Sequence, residues 1–313
     1  MIDNKIYTGK ALQEEAIIDS PSFKERIPPY FPGQALKNAI DYARLLDRPL
    51  LLRGEPGSGK TRVAQAVAYE LYGDTYRSHY FEWFIKSTSK ASEGLYHYDH
   101  FKRMRDIQTH VLNPTESYLE LGPMGKAFKS STKENPSIIL IDEIDKADLD
   151  FPNDLLLELD QKRFEIPETG ENVIAAVSPL VFITSNDEKE LPNAFLRRCV
   201  FCYIELPSED QLIKIVNAHL KRFLLDHQHI MSDKDLGTLV KQFNKLYQDM
   251  QNSQSDKNPS TSELIDWVRL IQYYSNSSLT ESDKETLPYA EVLLKTLDDY
   301  KKYRNYNAGS NKQ

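Results

Sequence analysis

The apolar positions of this chain change their period repeatedly. From Gly33, the residues Ala35, Leu36, Ala39, Ile40, Ala43 and Leu46 recur at helical spacing, and Arg48-Pro49 ends the run. Leu50-Leu51-Leu52 follows as a short continuous apolar stretch, the pattern of a strand buried on both faces of a parallel sheet. The alternation predicts a helix from Lys60 to about Tyr72, a strand near His79 to Ile85, helices around Tyr98 to Ile107 and from Gly122 to Ser130, and a strand Ser137 to Ile141. A helix Phe151 to Leu159, a hairpin over Phe164 to Val177 turning at Thr169-Gly170, a strand Leu180 to Thr184, a short helix ending near Arg198 and a strand Cys199 to Ile204 complete the series. Strands and helices in alternation imply right-handed crossovers and a parallel sheet of about five main strands, hence an α/β domain.

Past Pro207 the strand pattern stops. Leu212, Ile213, Ile215, Val216, Leu220, Phe223 and Leu224 lie on one helical face and predict a separate, smaller all-α domain. The polar stretch 251–259 reads as a loop within it, and Tyr303 to Gln313 has the composition of a frayed tail. Upstream, Pro28-Pro29-Tyr30-Phe31-Pro32 forbids helix and marks an extended lead-in. The expected organisation is an N-terminal extension over 1–27, an α/β nucleotide-binding core over 28–206, a helical lid over 207–302 and a tail over 303–313.

Composition narrows the partners. With 313 residues, 40% hydrophobic and 27% charged, the chain has the profile of an ordered globular protein and enough length for two domains. Its 39 Lys+Arg against 47 Asp+Glu give a net charge of −8, a field that repels polyanions and disfavours nucleic acid as the main partner. Ile138 to Ile141 is far shorter than the roughly 20 apolar residues of a membrane span, and Met1-Ile2-Asp3-Asn4-Lys5 has no apolar leader segment, so a cytoplasmic protein without membrane contact is expected. Cys199 and Cys202, the only cysteines, supply half of a structural zinc site and sit in a strand pattern, which favours a plain core role over redox or metal chemistry. His97 and His100 have no third ligand near them in sequence and read as surface or packing residues.

Two segments carry chemistry. Gly54-Glu55-Pro56-Gly57-Ser58-Gly59-Lys60-Thr61 matches G-x-x-x-x-G-K-[ST] between an apolar strand and a helix. In that setting the glycines let backbone N–H groups converge on phosphate oxygens, Lys60 can reach the β- and γ-phosphates, and the Thr61 hydroxyl can ligate Mg²⁺. Arg62, directly after them, is grouped with the nucleotide-binding residues. Further on, Ile138-Ile139-Leu140-Ile141-Asp142-Glu143 ends a buried strand in two carboxylates, where open α/β sheets bind ligands. Asp142 is suited to hold Mg²⁺ through water, and Glu143 to orient and deprotonate an attacking water. Asp145 and Lys146 read as solvated helix charges.

This combination resembles the AAA+ ATPases, and the resemblance extends over roughly residues 28 to 270. Val181-Phe182-Ile183-Thr184-Ser185-Asn186 is similar to the family's sensor 1 strand, which makes Asn186 the candidate to touch the γ-phosphate or the water; its alternative role is to cap the next turn. Leu191-Pro192-Asn193-Ala194-Phe195-Leu196-Arg197-Arg198-Cys199 resembles the segment that carries the arginine finger, with Arg198 the first choice and Arg197 the second, against a plain surface role for either. Within AAA+, Pro29-Tyr30-Phe31-Pro32, Arg48 to Gly57, Lys86-Ser87-Thr88, Gly94 to Asp99, Asp142 to Ala147 and the Arg163 to Val177 hairpin resemble the MoxR group, especially its CoxD-like subgroup. The chain departs from that group where a sensor 2 arginine stands at the start of a lid helix: Ser260-Thr261-Ser262-Glu263 has none, and Arg269, two turns later, is the nearest substitute. The resemblance implies ATP and Mg²⁺ as cofactors, a homo-oligomeric ring of about six subunits, and chaperone-like remodelling of a client, with a partner carrying a von Willebrand factor A domain expected by analogy. The alternatives are an AAA+ motor on nucleic acid related to restriction ATPases, which the acidic charge opposes, and a switch module with little turnover, which an intact Glu143 opposes.

Overall fold

The computed structural model describes residues 6–20, 23–110, 113–186, 188–223, 231–253, 255, 257–274 and 287–303. The strands in chain order are β1 (Ala16–Ser20), β2 (Phe23–Ile27), β3 (Leu50–Gly54), β4 (Tyr80–Phe84), β5 (Tyr96–Tyr98) and β6 (Leu119–Leu121). They continue as β7 (Ile138–Asp142), β8 (Arg163–Ile166), β9 (Glu171–Ile174), β10 (Leu180–Ser185) and β11 (Val200–Ile204). The chain divides into two compact units. One comprises Met1–Ala11, Pro32–Gly54 and Lys60–Ile204, and the other Leu12–Phe31, Glu55–Gly59 and Glu205–Gln313.

The first unit is built on a parallel five-stranded sheet in the order β11-β3-β10-β7-β4. Every residue of β7 is buried and the first three of β3 are fully so, which is why their sequences are unbroken apolar runs with no polar alternation. One face of the sheet offers Leu51, Ile139, Ile141, Val181 and Ile183 to a cluster containing Trp83, Met124, Phe128, Phe151 and Phe195. Helix Lys60–Tyr72 buries Val63, Ala64, Ala66, Val67 and Ala68, small side chains that let it lie close to the strands. Because all five strands run the same way, Gly54, Asp142, Ser185 and Phe84 finish at one edge. The register fixes this, pairing Arg53 with Ser185, Ile141 with Ile183, and Asp142 with Phe84.

Two local features differ from the sequence-based expectation, and a third agrees with it. The run from Phe151 is two short helices, Phe151–Asp154 and Leu156–Gln161, that meet at Leu155. Tyr98 closes β5, and its helix starts later, at His100, where Asp99 caps it by accepting from the Lys102 N–H at 2.8 Å. The hairpin is present as β8 and β9, with Gly170 at φ +70° in its turn.

In the second unit, helices Glu209–Phe223, Asp233–Asn252 and Thr261–Tyr274 enclose a core of Leu212, Val216, Leu236, Val240, Phe243, Leu264, Trp267 and Ile271. Ser260 and Glu263 begin the third of these with reciprocal bonds, Ser260 N–H to Glu263 Oε2 at 2.7 Å and Glu263 N–H to Ser260 Oγ at 3.4 Å. Tyr303 does not belong to the tail its composition suggested. It ends helix Leu297–Tyr303, is buried, and its hydroxyl meets Ser253 Oγ at 2.8 Å. The rest of that stretch, 304–313, lies outside the described residues, as do Gln254 and Asp256 of the polar loop and Leu224 of the apolar helical face. An antiparallel ribbon of β1 and β2 also belongs to this unit, in a region where the sequence pattern announced no element.

Candidate nucleotide site

The glycine-rich loop is shaped by conformations that side chains resist. Gly57 and Gly59 have φ of +75° and +87°, and Ser58 N–H closes a turn on the Glu55 carbonyl at 3.2 Å. A Cβ at Gly57 would stand 2.5 Å from Ser260 Oγ, so space as well as φ requires glycine there. Within the second unit the loop tip is held by Asn258 Nδ2, which donates to Glu55 Oε1 at 3.1 Å, and by Ser262 Oγ, which donates to the Gly57 carbonyl at 3.4 Å. Pro56 is exposed. In the first unit, Lys60 opens its helix with a buried side chain whose ammonium donates to the Gly54 carbonyl at 2.7 Å.

At the end of β7 a hydrogen-bond network surrounds the acidic pair. Thr61 Oγ1 and Thr184 Oγ1 both donate to Asp142 Oδ1, at 2.9 and 2.7 Å. The Thr184 oxygen also accepts the Glu143 N–H at 2.8 Å. Glu143 sits at φ 60°, ψ 51°, a left-handed conformation that is strained for a residue with a side chain and that this bond helps to hold. Its carboxylate is engaged at both oxygens: Asn186 Nδ2 donates to Oε1 at 3.1 Å, and Lys146 Nζ pairs with Oε2.

Asp145 is therefore not a solvated charge, and Lys146, partly exposed, is held in an ion pair. Asp145 is 2% exposed, and its Oδ2 accepts the backbone N–H of Asn186 at 3.0 Å and of Glu188 at 2.9 Å. The turn Ile144–Lys146 thus fixes the loop after β10 with one side chain and Glu143 with the next. Burial pushes the Asp142 carboxyl above its usual range, opposed by the hydrogen bonds from Thr184 and Thr61 and by the Lys60 charge, and reinforced by the Glu143 charge. Lys146 is shifted up, chiefly by its hydrogen bond to Glu143.

The residues fit ATP and Mg²⁺. Thr61 and Asp142 offer hard oxygen donors side by side, and a cation next to the under-compensated Asp142 carboxylate would draw its proton affinity back down. The glycine conformations and Lys60 suit a polyphosphate.

Arg62 is exposed and donates to Gln65 Oε1 at 2.9 Å. Arg198 donates from Nε to Asp160 Oδ2 at 2.6 Å and from Nη1 to the Ala194 carbonyl at 2.9 Å, while Arg197 is exposed at the end of helix Asn193–Leu196. The Arg269 guanidinium pairs with Asp266 on its own helix at 3.3 Å, and Asn258, Ser260 and Ser262 make the contacts to the loop tip. Burial pushes the Cys199 thiol up to about 12, and Cys202 is buried in β11. His97 is exposed and His100 packs its ring against Tyr98 at 4.8 Å; among the described residues no group of three His, Cys, Asp or Glu could hold a metal ion. No described helix is long and apolar enough to cross a membrane.

A parallel sheet with a P-loop after β3 and a carboxylate pair ending β7 defines a P-loop ATPase core. Residues 49–199 match the family model of the AAA domain, dynein-related subfamily. Two spastins are similar to the chain: that of Danio rerio, 27% identical over 62% of this chain and 29% of its own length, and that of Dictyostelium discoideum, 29% identical over 61% and 25%. The chain thus spans less than a third of either relative. With the fold and the site, these matches support an AAA+ ATPase domain over residues 49–199.

Proposed function

We propose that this chain is a Mg²⁺-dependent, ring-forming AAA+ ATPase of the MoxR group, near the CoxD-like subgroup, that uses ATP turnover to remodel a partner protein in the cytoplasm. In this reading residues 28–206 are the catalytic core and 207–302 the lid. Gly54 to Thr61 hold the phosphates, and Lys60 leaves the Gly54 carbonyl for the β- and γ-phosphate oxygens. Thr61 and Asp142 would hold Mg²⁺, which would supply charge neutralisation at those oxygens. Glu143 takes the proton of the attacking water, and Asn186 keeps its carboxylate in place. The bond from Asn186 to Glu143 is the observation that carries the reading, because it joins sensor 1 and catalytic base in one arrangement.

The group assignment draws support from the β8–β9 hairpin just before β10 and from the β5–β6 ribbon with its helix inserted after β4. A client protein and a von Willebrand factor A partner follow from the group alone. The net charge of −8 weighs against a motor on nucleic acid.

Arg198, on this reading, reaches the active site of the next subunit in a ring of about six. Arg198→Ala should bind ATP and assemble yet hydrolyse slowly, by as much as roughly 10³-fold. Lys60→Ala should neither bind nor turn over ATP. Mixed rings of the two contain interfaces with a complete set of residues, so activity should return on mixing. Mixed rings that form by native mass measurement and remain inactive would refute the in-trans role and leave Arg197 as the alternative.

A further inference from the structure

Helix His100–Gln108 is the one described helix of more than eight residues that buries none of its residues, apart from those whose side chains are only partly described. It is carried by the β5–β6 ribbon, and its attachments are polar. Arg103 Nη1 donates to the Tyr98 hydroxyl at 3.1 Å, the Tyr118 hydroxyl donates to Asp106 Oδ2 at 3.1 Å, and Lys102 lies over the Tyr118 ring. With one face tied down this way, Phe101, Met104 and Ile107 fall at i, i+3 and i+6 and stand out at 86%, 59% and 59% exposure. Three large apolar side chains in a row on a solvated helix mark a contact surface, since scattered exposed residues do not align at helical spacing.

Charge identifies what fits. The helix carries Lys102, Arg103 and Arg105 against a single carboxylate, Asp106, which is already engaged by Tyr118 and by Asn113 Nδ2 at 3.1 Å. Arg105 beside the stripe lies 4.0 Å from Asp106 Oδ1 in a loose ion pair, with its side chain 71% exposed. A basic, apolar strip on a protein of net charge −8 selects an occupant that is apolar and acidic.

We propose that this face docks a segment of a partner protein in which apolar side chains alternate with carboxylates. The segment lays its apolar residues on Phe101, Met104 and Ile107 and its carboxylates beside Arg105. The proposal rests on the reading of the protein as one that acts on other proteins, and it names the chemistry of the segment engaged.

The experiment uses the full chain without nucleotide, so a failure of ATP turnover leaves it readable. Fluorescence anisotropy follows a labelled peptide alternating phenylalanine or leucine with glutamate, and a counterpart with lysine in place of glutamate. The wild-type chain should bind the glutamate peptide at least about tenfold more tightly than the lysine peptide, with an affinity that falls as salt rises. The triple variant Phe101→Ser, Met104→Ser, Ile107→Ser should lose about tenfold or more, with basal ATP hydrolysis unchanged because these residues lie outside the catalytic set. Arg105→Glu, a change on an exposed side chain, should weaken the glutamate peptide and favour the lysine one. Equal binding of the two peptides, or a triple variant that binds like wild type, overturns the proposal. Two further outcomes also overturn it: sedimentation with phosphatidylserine vesicles that the triple variant abolishes would assign the face to a lipid surface, and a change of mass by light scattering in the triple variant would assign it to contacts between copies of the chain.

Discussion

Thr184 is a sharp point at which to perturb the site, because one hydroxyl serves both carboxylate-bearing residues. It donates to Asp142 Oδ1 at 2.7 Å and accepts the Glu143 N–H at 2.8 Å, on a residue only 1% exposed. Thr184→Val keeps the branched shape, so no cavity opens, but orphans a backbone donor and removes a donor from a buried carboxylate. An unsatisfied buried group costs about 1–3 kcal/mol, and a hydrogen bond to a charged group is worth about 1.5–3 kcal/mol, so a loss of roughly 3 kcal/mol is expected. In a domain of this size that lowers the melting temperature by roughly 6–12 °C, measured by thermal unfolding of the full chain. Glu143 would also lose a bond that holds its left-handed backbone, and a displacement of about 1 Å at a catalytic group can cost on the order of a hundredfold in rate. The kcat of steady-state ATP hydrolysis should therefore fall much more than KM changes. Thr184→Ser keeps the hydroxyl and should stay close to wild type in kcat. If the valine variant melts within about 1 °C of wild type, or serine proves as damaging as valine, the bridging hydroxyl is not what holds the acidic pair.

Asp145→Ala should remove the anchor of the loop after β10, destabilising the chain by about 2–4 kcal/mol in thermal unfolding and lowering kcat, while Asp145→Asn, which keeps a carbonyl acceptor, should do less of both. Lys146→Met should leave the melting temperature nearly unchanged, because the ion pair is partly solvated, yet alter kcat without altering ATP affinity, since it removes a contact to Glu143 and none to the phosphate loop. Cys199, with its thiol pushed up to about 12 by burial, should resist iodoacetamide in the native chain at about pH 8 and react on unfolding, as mass spectrometry would record. The sign of that shift means the buried thiol has no effect on stability below the unfolded value of roughly 8.5 and lowers it progressively as pH rises from there toward 12.

What could be read from the sequence was what depends on neighbours along the chain. Leu50-Leu51-Leu52 and Ile138 to Ile141 announce buried parallel strands because no face of such a strand is wet, and the glycine-rich loop announces itself because its spacing is set by local backbone geometry. The strand order came from pairing between distant segments, which no local pattern encodes, whereas the edge at which the chemistry gathers follows from where each motif ends its strand.

The residues without a decisive local signal share a physical cause. Thr184 looks like an ordinary β-branched residue of a buried strand, and only its position across from Asp142, 42 residues away in sequence, turns its hydroxyl into a bridge. Asp145 has the same local signal whether its carboxylate meets water or two backbone N–H groups, and the loop that supplies those groups returns from 41 and 43 residues on. Lys146 carries the same ambiguity, although its distance of three from Glu143 is the spacing at which side chains on one turn meet. A charged residue directly after a buried strand that ends in paired carboxylates is therefore poorly described by its average exposure. Such a strand delivers its next few residues into the same crowded edge of the sheet, where every charge that remains must find a partner.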